Sequence, residues 1–69
     1  MNELYTLRRL AQIDEEIALS ERHLAHLEIS LRKPGPRDNI NLLTKQTSRA
    51  RQHLAYLQAC RKRLLAKLP

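Results

Sequence analysis

The chain has 69 residues and a net charge of +6, from thirteen Lys and Arg against seven Asp and Glu, and its only aromatic residues are Tyr5 and Tyr56. That length allows one small domain at most, and a Leu-rich apolar fraction without Trp or Phe fits helix-on-helix packing better than a sheet core. One cysteine, Cys60, excludes an intrachain disulfide and a thiolate zinc set, so a reducing cytoplasm is the natural compartment.

The opening "MNELYTLRRL" has an acid at position 3 and no apolar stretch ahead of a small-residue cleavage site, so no secretory signal is expected there. Nowhere do more than two strongly apolar residues adjoin, so no membrane insertion is expected either. Asn2 is placed to cap a first helix over residues 3–32. Within it Leu10, Ile13, Ile17, Ser20, Leu24, Leu27 and Leu31 alternate at spacings of three and four, the signature of a coiled-coil seam with one polar member. Leu4, Ala11, Ala18 and Ala25 recur every seven residues beside that seam. Small residues there would admit a third helix closely, although Ala is also the best filler of a helix surface.

"LRKPGPRDNI" follows, with the only Gly and two of the three Pro. Pro34 biases Lys33 away from the α region and Pro36 fixes its own φ, which predicts a short, stiff turn over residues 33–38. Asp38 is placed to cap a second helix over residues 39–67. Its seam runs through Ile40, Leu43, Thr47, Ala50, Leu54, Leu57, Arg61, Leu64 and Leu68. Folding one seam on the other pairs Leu31 with Ile40, Leu27 with Leu43, Leu24 with Thr47, Ser20 with Ala50, Ile17 with Leu54, Ile13 with Leu57 and Leu10 with Arg61. The matched lengths and the meeting of small or polar residues at Ser20 and Ala50 favour an all-α, antiparallel two-helix hairpin. The alternative is one long broken helix that dimerises along its length. A single seam is a poor core, so completion by self-association as a homodimer or by a protein partner is expected. Leu42, Tyr56 and Leu65 on the second helix, with Leu19 and Ile29 on the first, add apolar surface that the hairpin does not use.

Charge is divided unevenly. Through residue 32, Arg8, Arg9, Arg22 and Arg32 stand against six acids; beyond it nine basic residues stand against Asp38 alone. Such a second helix, ending in "CRKRLLAKLP", suits an acidic protein surface or the phosphates of a nucleic acid. The near-absence of aromatics interleaved with the cations, and of any groove-reading module, makes nucleic acid the second choice. Chemistry has no foothold: His23 and His26 lack further ligands at zinc-like spacing, and His53 with Cys60 lacks the cleft and orienting group that nucleophilic catalysis needs. With one Gly there is no phosphate loop, and no catalytic residue, metal or cofactor is expected.

"LRKPGPRDN" and "SRARQHLAYLQACRKRLL", within two helices and about a Pro/Gly turn, resemble the small co-chaperones of type III secretion needle subunits. Membership of that family would imply a helical hairpin that binds a tetratricopeptide-like partner chaperone and, with it, keeps the needle subunit monomeric in the bacterial cytosol. Leu4, Ala11, Ala18, Ala25, Leu42, Tyr56 and Leu65 are the expected partner-binding residues.

Overall fold

The computed structural model describes residues 3–68. Two helices, α1 (Glu3–Arg32) and α2 (Ile40–Ala66), pack against each other, and the described residues hold no strand. The protein is an all-α helical hairpin. Two interhelical ion pairs fix its sense: Asp14 with Arg61 and Glu28 with Arg51 follow opposite orders along the two helices, so the chains run antiparallel. At 1.5 Å per residue α1 is about 45 Å long, and the molecule measures 55 × 14 × 13 Å. Its radius of gyration, 15.8 Å, exceeds the roughly 11 Å of a globule of this length. The chain is a rod with one line of contact, so each helix buries a single narrow face.

Buried residues trace that line. Thr6, Leu10, Ile13, Ser20 and Leu27 are covered on α1, and Thr47, Ala50 and Leu57 on α2. Ile17, Leu24, Leu31, Leu43, Leu54, Leu64 and Leu68 are half-buried. Ser20 and Ala50 both lie inside, so small side chains take two of the covered places on the facing sides of the helices. Thr47 is only 1 % exposed; its hydroxyl donates to the Leu43 carbonyl at 2.7 Å, which satisfies the polar group without a partner across the seam.

Three details depart from the sequence expectation. Arg61 is not in the seam: its side chain is 45 % exposed and its Nε donates to Asp14 Oδ1 at 2.7 Å. A guanidinium cannot shed its hydration in an apolar seam without a partner; the ion pair sets Arg61 against Asp14, a turn along α1 from the Leu10 it was expected to face, and Cys60, one residue earlier, is half-buried instead. Ile40 is 45 % exposed, because it is the first residue of α2 and nothing beyond the loop covers it. The cap of α2 is Asn39 rather than Asp38. Asn39 has extended backbone and its Oδ1 accepts from the Leu42 N–H at 3.2 Å.

Asp38 serves the loop. Its Oδ2 accepts from the Gly35 N–H at 2.7 Å while its own N–H donates to the Gly35 carbonyl at 3.1 Å, closing a turn on itself. α1 gives out just before Pro34, after a last helical bond from the Lys33 N–H to the Ile29 carbonyl at 3.1 Å. The connection therefore spans residues 33–39, and α2 ends at Ala66 rather than 67, with Lys67 as its C-cap. The cap expected at Asn2 lies outside the described residues. No described helix is long and apolar enough to cross a membrane.

Candidate partner-binding surface

Because only one face of each helix is covered, large apolar side chains remain in water. Leu4, Tyr5, Leu7, Leu19, Ile29, Ile40, Leu42, Tyr56 and Leu65 are between 42 and 67 % exposed. Single exposed apolar residues are ordinary; their arrangement decides what they can do. On helices whose seam repeats every seven residues, positions seven apart share a lane, so the lanes beside the seam sort the surface into two flanks.

The first flank carries Asp14 and Glu28 of α1, fourteen residues apart, and Arg51, Gln58 and Leu65 of α2. Here the charges are matched. The Arg51 Nη2 lies 3.1 Å from Glu28 Oε2 and the Arg61 Nε 2.7 Å from Asp14 Oδ1. All four side chains are more than a third exposed, so each pair contributes at most about 1 kcal/mol and acts mainly on register. A cleft of about 330 Å³ on this flank is lined by Asp14, Ile17, Gln58, Arg61, Lys62 and Leu65. Leu4, Ala11, Ala18 and Ala25 run along the outer edge of the same flank, all exposed.

The second flank is different in charge. One cleft, of about 250 Å³, lies at the open end of the hairpin; Ile13, Cys60 and Leu64 line it together with Tyr5, Arg9, Arg63 and Lys67. A second, of about 350 Å³, lies nearer the loop and is lined by His23, Gln46, Arg49, Ala50 and His53. Neither has a carboxylate in its lining. Arg9 and His23 are two heptads apart on α1, as are Arg49 and Arg63 on α2, so the two clefts share one flank. Leu42 and Tyr56 fall in the Arg49–Arg63 lane, and Leu19 in the lane of Tyr5.

The expected partner-binding residues are thus all exposed but are not brought together. Leu4, Ala11, Ala18, Ala25 and Leu65 belong to the charge-matched flank, whereas Leu42 and Tyr56 belong to the basic one. Tyr5, Arg9, Arg49, Arg63 and Lys67 were not singled out by sequence as partner-binding; the heptad lanes that hold them could have grouped them with Leu42 and Tyr56. His23 and His53 line one cleft from opposite helices, while His26 does not line it. Among the described residues no three His, Cys, Asp or Glu side chains converge as metal ligands would. Comparison of the chain with protein families, with curated proteins and with solved structures gave no match.

Proposed function

We propose that the hairpin is a non-enzymatic protein-binding module that works in the cytoplasm by lending its outer helical surface to a partner. The observation that carries this is the exposure, among the described residues, of nine large hydrophobic side chains on a rod whose seam buries five hydrophobic residues and leaves seven Leu and Ile side chains half-covered. A surface of that kind gains more from a third helix than from solvent, since each buried Leu or Tyr contributes roughly 1.5–3 kcal/mol. The resemblance to needle-subunit co-chaperones of type III secretion supplies the specific form of the proposal. In that form the hairpin and a tetratricopeptide-like chaperone together hold an aggregation-prone, exported subunit monomeric. A shallow, open surface with apolar side chains on both flanks is consistent with contacting two proteins at once.

Copurification from the native cell, with identification of the bound proteins, tests the proposal. A helical-repeat chaperone and a small exported subunit should come down together. Recovery of nucleic acid or ribosomes in their place would favour the competing role that the basic α2 suggests, and recovery of only more copies of the hairpin would favour a self-associating coiled coil.

A further inference from the structure

We propose that the basic flank is the docking face for an acidic amphipathic helix of a partner protein; this rests on the protein-binding role above and names the partner's chemistry. Four cations, Arg9, Arg49, Arg63 and Lys67, lie in the lanes of this flank against Glu16 alone. None of the four has a carboxylate within salt-bridge distance among the described residues, in contrast to Arg51 and Arg61 on the other side. Between the cations, Tyr5 and Tyr56 are 67 and 63 % exposed, and the half-buried Leu64 and Cys60 line the cleft at the open end. Cationic rims around apolar linings call for a ligand with apolar anchors and anionic neighbours.

Geometry makes that ligand a helix. Arg9 and His23, one in each cleft, are fourteen residues apart, or about 21 Å along α1. A helix laid in the groove would reach both clefts with anchors two heptads apart, each beside Glu or Asp. A second copy of this chain fits less well, because it brings a net charge of +6 to a basic face, its Asp14 and Glu28 are already engaged, and the remaining acids of its α1 are interspersed with Arg8, Arg9, Arg22 and Arg32. A nucleic acid fits less well than an acidic helix, because Leu19 and Leu42 interrupt the same lanes and offer nothing to phosphates.

Cys60 provides the test, since it is the only thiol in the chain and it lines the cleft of Arg63 and Tyr5. The probe is a synthetic amphipathic helix of about five turns, with Leu at the a and d positions and Glu at e and g. Its control carries Gln in place of Glu. Affinity is read by fluorescence anisotropy, and occupancy of the flank by the rate at which a maleimide modifies Cys60 in the full-length protein. At saturation the Glu peptide should slow that modification about tenfold or more, and Arg63→Glu and Arg9→Glu should each weaken binding about tenfold. Lys62→Glu, an equal change of charge on the other flank, should leave affinity within about twofold. Circular dichroism checks that each variant keeps its helix content.

Equal binding of the Gln peptide, or equal loss from Lys62→Glu and Arg63→Glu, would overturn the proposal by showing that neither acid nor position matters. A bound peptide that leaves Cys60 as reactive as before would place docking elsewhere, ending this proposal while the protein-binding role stands. A single-stranded oligonucleotide that protects Cys60 better than the peptide at physiological salt would overturn both.

Discussion

Two isoleucines of α1 offer a controlled perturbation, because the same substitution at each meets opposite surroundings. Ile13 is 1 % exposed and Ile29 is 60 % exposed. Ile13→Ala removes three carbons from one of the most deeply buried side chains of the seam. At about 0.8 kcal/mol per buried methylene the transfer loss is about 2.4 kcal/mol, and incomplete closure of the gap raises the total to about 3–4 kcal/mol. A domain of this length is expected to be stable by roughly 3–10 kcal/mol, and a hairpin with one seam belongs at the low end. Ile13→Ala should therefore remove most of the helix signal in the isolated chain. Ile29→Ala should change stability by less than about 0.5 kcal/mol, with the better helix propensity of Ala tending to raise it. Far-UV circular dichroism with urea titration measures both. Similar losses from the two variants, or no loss from Ile13→Ala, would show that the seam is not what holds the hairpin together.

Other expectations follow from the same contacts. Asn39→Ala, which leaves the Leu42 N–H without its side-chain acceptor, should cost about 1 kcal/mol in urea titration, whereas Asp38→Ala should leave the start of α2 in place. A double-mutant cycle on Asp14 and Arg61 should give a coupling of about 0.2–1 kcal/mol that shrinks as salt is added, as suits a pair half in water. Gly35→Ala should meet no backbone strain, since Gly35 has no positive φ, but the added Cβ would sit 3.3 Å from the Asp38 Oδ2 that accepts from the Gly35 N–H, so displacing that carboxylate should cost up to about 1 kcal/mol in urea titration. Ala18→Arg should change the stability of the helix by only a few tenths of a kcal/mol, on the order of the propensity difference, and leave the acidic-helix affinity unchanged, so that any loss of a native partner would place that partner on the alanine lane.

Much of the hairpin was legible because its causes are local and periodic. A seam spaced by three and four, two prolines about a glycine and equal helical stretches on either side leave little freedom for another arrangement. What periodicity missed was decided by chemistry at single positions. Arg61 occupies a seam position by spacing, but a charged group half in water with Asp14 in reach is more stable than one pressed against leucine, and Cys60 beside it is half-buried instead. Asp38 and Asn39 are both good caps; the choice fell to Asn39 because the Asp38 carboxylate is drawn back to the Gly35 N–H. The division of the surface into a matched flank and a basic flank depends on which side of the seam each lane falls, and on which cations find acids across it. Sequence spacing defines the lanes, but only the ion pairs at Arg51 and Arg61 show that the remaining cations are left over.

The central claim is that a hairpin with one seam is completed by another chain, and the most direct test is the thermal unfolding of the purified protein by circular dichroism, at micromolar concentrations where sedimentation shows a monomer. A broad transition well below the range of about 45–65 °C common for independent domains is predicted, sharpening and rising when a protein partner is added. A sharp, cooperative transition of the lone monomer within or above that range, unmoved by concentration, would contradict it.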